Sequence, residues 1–87
     1  MRKLGHLLRE ARLSHNLDLS EVAQKTHISG HYLVAMEEGR FNVIPKVYDK
    51  GYLKIYAKLL KMDVPPILAL YDRIQNEDAA QQSGRSA

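Results

Sequence analysis

DLSEVAQKTHISGHYLVAMEEG, residues 18–39, decides the fold of this chain. Asp18 stands three residues before Glu21, the spacing of a capping box in which two helix-start amides are satisfied reciprocally. A helix therefore opens at Asp18, turns Val22 and Ala23 inward and ends near Thr26. His27-Ile28-Ser29 is only long enough for a tight turn. Ser29 can cap a further helix from Gly30 to Glu38, with Leu33 and Met36 on its apolar side and Gly39 as terminator.

The flanks extend the helical pattern. Leu4, Leu7, Leu8 and Ala11 follow the i, i+3, i+4, i+7 rhythm of an amphipathic helix, with Arg9, Glu10 and Arg12 assigned to its wet side. Asn16 is placed to end it in a left-handed conformation. Downstream, Phe41, Val43 and Ile44 make a linking segment too apolar to float free, and Pro45 breaks any helix before it. A fourth helix is predicted from about Lys46 to Leu60. A fifth follows Asp63, tolerates Pro65 and Pro66 in its first turn, and uses Ile67, Leu68, Leu70, Tyr71 and Ile74 as its apolar side. Residues 77–87 are polar and aperiodic, and read as a disordered tail or linker. The expected fold is all-α: a five-helix bundle over residues 1–76.

Composition limits the function. Eighty-seven residues make one small domain, and the absence of cysteine excludes disulfides, thiolate zinc sites and thiol nucleophiles. No run approaches the roughly 18 apolar residues that span a bilayer, so the chain reads as soluble. His27 and His31 are four apart, but one lies in the turn, and no carboxylate pattern supports a metal. Ser14, Ser20 and Ser29 lack nucleophile-elbow glycines, and Asp18–Glu21 is a cap rather than an acid/base pair. The chain is read as a non-enzyme without cofactor.

The net charge is +3, and its distribution matters more: residues 46–62 carry five Lys/Arg against one Asp/Glu. On the fourth helix Tyr48, Tyr52 and Tyr56 share one stripe, and Lys46, Lys50, Lys54 and Lys58 share another. Such a pair of stripes suits an acidic protein partner, with aromatics as anchors and lysines as steering charges. The bland alternatives are a buried aromatic stripe, Tyr56 being the first candidate, and a merely solvated lysine row. Gly51 in mid-helix allows close approach of a neighbouring helix or of a partner, packing being the simpler explanation.

Residues 18–39 resemble the helix-turn-helix of the phage-repressor-like family: Ala23 is small where the helices cross, and Ile28, Leu33 and Met36 lock the pair. His27 replaces the glycine usual at the turn. The resemblance implies DNA contact through Ser29, Gly30, His31, Val34 and Ala35, with Lys25 and Arg40 on the phosphate backbone. Specific base reading favours Arg, Lys, Asn or Gln, and none occurs between Ile28 and Gly39. Glu37 and Glu38 would sit near phosphate. A DNA-binding transcriptional regulator is therefore the second reading.

The stretch Pro45-Lys46-Val47-Tyr48-Asp49-Lys50-Gly51-Tyr52-Leu53-Lys54-Ile55-Tyr56-Ala57 resembles the RodZ family of bacterial cell-shape proteins. There, a repressor-like helix-turn-helix is followed by an aromatic-x-x-Gly-aromatic-x-x-x-Tyr-Ala helix. Leu4-Gly5-x-Leu7-Leu8-Arg9-x-Ala11-Arg12, Glu37-Glu38-Gly39-x-Phe41 and Asp63-Val64-Pro65 extend the match over most of Leu4 to Ile74. The resemblance implies a cytoplasmic module that binds the actin-like filament protein MreB, tethered in longer relatives to one membrane-spanning helix. The implied contact centres on Tyr48 and Tyr52, with Tyr56 on the same stripe and Lys46, Lys50 and Lys54 beside it.

Overall fold

A computed structural model describes the backbone of residues 2–86 and the side chains of residues 2–76. Five α-helices follow in order: α1 Arg2–Ser14, α2 Leu19–Thr26, α3 Gly30–Glu37, α4 Asp49–Leu59 and α5 Val64–Ser86, with a 3₁₀ turn at Phe41–Val43. The caps of α2 and α3 are those the sequence encodes. Asp18 accepts from the Glu21 amide while Glu21 returns a bond to the Asp18 amide, completing the box. Ser29 caps α3 by accepting from the His31 amide at 3.2 Å. Asn16 and His27 take left-handed backbone, φ 55° and 60°, as does Lys61 beyond α4 at φ 58°.

Leu4, Leu8, Val22, Leu33, Met36, Leu53, Tyr56 and Leu60 form the centre of the core, with Phe41, Ile67 and Tyr71 closing it from the α5 side. Phe41 and Tyr71 meet with ring centroids 5.0 Å apart. The linking segment is held as its composition requires, Phe41 and Ile44 both being buried.

Four sequence expectations change. Helix α4 begins at Asp49, not Lys46, because Pro45–Tyr48 closes as a turn through a 2.8 Å bond from the Tyr48 amide to the Pro45 carbonyl. Asp49 is an acidic residue in the new first turn, where helix-end amides favour it. Second, Arg12 is not on the wet side of α1. Its guanidinium is buried and forks onto Glu37, Nε to Oε2 at 2.7 Å and Nη2 to Oε1 at 3.1 Å, while Nη1 donates to the Leu17 carbonyl at 2.9 Å. Third, Glu37 is therefore an interior carboxylate rather than a group near phosphate, and the Tyr56 hydroxyl donates to it as well. Fourth, α5 runs past the end of its apolar pattern to Ser86, through a stretch rich in helix formers and free of proline. The side chains of residues 77–87, where the polar tail was expected, lie outside the described residues.

The chain ends of the helices are stitched in the same manner. His15 at the end of α1 donates Nε2–H to the Leu60 carbonyl at 2.8 Å. Asp49 is buried and accepts from the Tyr71 hydroxyl, which in turn accepts from Gln75 Nε2 at 2.9 Å. Each carboxylate thus joins α4 to another helix.

Close approach of α1 to α3 depends on Gly5. A Cβ placed there would lie 2.4 Å from the Glu37 carbonyl oxygen and 2.7 Å from that of Met36. Backbone cannot yield cheaply. Gly5→Ala should therefore destabilise the domain by about 2 kcal/mol or more, although alanine favours helix. The check is a lower denaturant midpoint at an unchanged slope.

Burial, followed by the Glu37 and Asp49 carboxylates, holds the phenols of Tyr56 and Tyr71 above their ordinary pKa of 10.0. The unfolded chain releases these protons first, so stability is fully present below pH 10.0 and drains as pH rises beyond it. Denaturation series between about pH 9 and pH 11 should show that fall, and Tyr56→Phe should make its slope shallower.

Candidate functional site

Four rings run in contact across the boundary between α3 and α4. His31 lies 5.8 Å from Tyr32, Tyr32 lies 5.9 Å from Tyr52, and Tyr52 stacks on Tyr48 at 5.4 Å with planes 9° apart. Tyr48 is the residue before α4, yet its carbonyl accepts from the Tyr52 amide at 2.8 Å, so the two side chains still sit one turn apart. Aromatic pairs of this kind contribute about 0.5–1.5 kcal/mol each beyond burial and hold the rings in place.

This seam is not sealed. Tyr48 is 51% exposed, Val47 beside it 80% and Ile55 two turns on 43%. Tyr32 and Tyr52 are half-buried, each packing one side against the core. Apolar surface gathered in this way and rimmed by charge is the usual mark of a contact face. Lys46, Lys54 and Lys58 supply the rim; all are exposed and none pairs with a carboxylate among the described residues.

The expected tyrosine stripe is therefore divided. Tyr48 and Tyr52 face outward or sideways, whereas Tyr56 has no exposure and gives its hydroxyl to Glu37. Tyr56 is corrected from a contact residue to a core residue, because a phenol bound to a buried carboxylate cannot also meet a partner. The lysine row is likewise uneven. Lys46 sits on the Pro45–Tyr48 turn, and Lys50 bonds Asp72 of α5 at 2.6 Å, which holds its ammonium above the usual pKa. Lys46 and Lys54 are left to act as steering charges. Tyr32 was not singled out from the sequence. Its place in the site comes from a ring contact with Tyr52 on another helix, which spacing along the chain does not show.

Gly51 needs a different explanation from close packing. It is exposed, it lies in ordinary helical backbone, and a Cβ placed there would meet nothing within 4 Å. A helical glycine costs about 0.5–1 kcal/mol relative to alanine, and no contact inside the domain offsets that cost.

The DNA-reading face is poorly equipped. Ser29 and His31 are exposed and Gly30 is half-exposed, but Ala35 is fully buried and leaves the face. Arg40 is engaged with Glu38, its Nε donating at 2.9 Å, so of the two backbone-binding cations only Lys25 stands unpaired among the described residues. A second basic face on α1 presents Arg2, Lys3, His6 and Arg9 around an open basin bounded by Glu37 and Glu38. It carries no tyrosine or phenylalanine. No group of His, Asp or Glu suited to a metal ion occurs among the described residues.

A family model described as a helix-turn-helix domain matches residues 7–67. The cytoskeleton protein RodZ of Streptococcus pneumoniae (strain ATCC BAA-255 / R6) is 39% identical over 75 residues, covering 83% of this chain and 27% of that protein. The chain thus spans about a quarter of that relative's length. No solved structure matches it. With the box-capped α2, the left-handed turn at His27 and the capped α3 in place, the chain belongs to the helix-turn-helix domain family, in its RodZ-like form.

Proposed function

We propose that this domain is a non-enzymatic adaptor that docks on the actin-like filament protein MreB and so couples the bacterial cytoskeleton to the membrane in maintaining cell shape. The observation that carries the reading is the exposed seam of Tyr48, Tyr52, Tyr32 and His31, rimmed by lysines that pair with no carboxylate among the described residues. Partly buried tyrosines combine large contact area with little rotamer freedom to lose, which suits them as anchors. Lys46 and Lys54 raise the encounter rate with an acidic filament surface, an effect that salt weakens. The repressor-shaped helices serve as the rigid support for that seam.

The domain acts in the cytoplasm in this reading. No helix among the described residues is long and apolar enough to cross a membrane. Attachment to the inner membrane is then the work of another part of a longer protein, consistent with the share of the RodZ relative that the chain spans.

Tyr52→Ala should weaken co-sedimentation with MreB filaments by about 1–3 kcal/mol while leaving the domain folded. Tyr32→Ala should act in the same direction, since its ring supports Tyr52 from α3. Unchanged pelleting by both variants, with circular dichroism intact, would rule the mechanism out. A salt series with duplex DNA should show weak binding without sequence preference; salt-resistant, sequence-selective binding would restore the regulator reading.

A further inference from the structure

Gly51 lies between the two halves of the exposed face. Tyr48 is three residues before it and Ile55 four after, on the apolar side; Lys54 and Lys58 stand three and seven after, on the cationic side. The seam thus has an apolar ridge, a lysine ridge and, at Gly51, a bare patch of helix backbone with open space above it. Gly5 admits the α3 backbone and Gly39 takes φ 77°. Gly30 also meets nothing within 4 Å, but it is the first residue of α3, whereas Gly51 has the same open space inside a helix.

We infer that Gly51 is the close-approach point of the docking face, where the backbone of an acidic segment of the filament subunit lies directly against α4. The inference rests on the docking reading above and adds a specific geometry to it. The partner's apolar side chains meet Tyr48 and Ile55, and its carboxylates meet Lys54 and Lys58. A side chain at position 51 would hold the two backbones apart and loosen both sets of contacts. The glycine is then retained for binding against the interest of helix stability.

The two effects have opposite signs, which makes the test sharp. Gly51→Ala should raise the thermal midpoint by about 2–6 °C, as expected for an exposed helical glycine in a domain of this size. The same variant should bind MreB filaments about tenfold more weakly, and Gly51→Leu more weakly still. Tyr52→Ala is run in parallel on the full chain. If both Gly51 variants pellet like the parent while Tyr52→Ala does not, the close approach is refuted and the docking reading survives. If all three pellet like the parent, both fail. A lower thermal midpoint for Gly51→Ala would also overturn the inference, since it would reveal an internal need for glycine.

Discussion

One buried carboxylate organises the molecule. Glu37, at the end of α3, receives the forked guanidinium of Arg12 from α1 and the hydroxyl of Tyr56 from α4. Taking either cation or carboxylate alone out of water is costly, and removing one partner of such a pair typically destabilises by about 3–5 kcal/mol. The arrangement therefore fixes relative helix positions rather than adding a large net stability. Gly5 makes it possible, since α1 comes close enough for Arg12 to reach only where no side chain intervenes. With α3 and α4 set against each other, Tyr32 and Tyr52 are brought ring to ring, and the seam exists.

The division of labour along α4 follows from this. One side of the helix is tied inward by Leu53, Tyr56, Ala57 and Leu60, and by Asp49 through Tyr71. The other side keeps Ile55, Gly51 and the stacked Tyr48–Tyr52 pair in reach of solvent. Two glycines mark the contrast. Gly5 is demanded by the protein's own backbone, whereas Gly51 faces empty space.

Local signals were legible from sequence because they depend on neighbours a few residues away. The Asp18–Glu21 box, the Ser29 cap and the left-handed Asn16 all follow from short-range hydrogen bonding and backbone sterics. What escaped was long-range. Arg12 reads as a surface residue on a helical wheel, and only its partner 25 residues away makes it interior. Tyr56 shares periodicity with Tyr48 and Tyr52, so spacing alone cannot tell the buried ring from the exposed ones. Tyr32 joins the site only through a contact between helices. The start of α4 was misplaced by three residues because Pro45 closes a turn where a continuous helix was equally compatible with the pattern.

Hydroxyl-radical footprinting of the domain on MreB filaments addresses the central claim most directly, because it reads every exposed side chain at once. The account requires protection at Tyr32, Tyr48, Tyr52 and Ile55, with exposed Leu7 and Leu13 of α1 unchanged. Protection confined to α1, with the tyrosine seam still open to solvent, would contradict it.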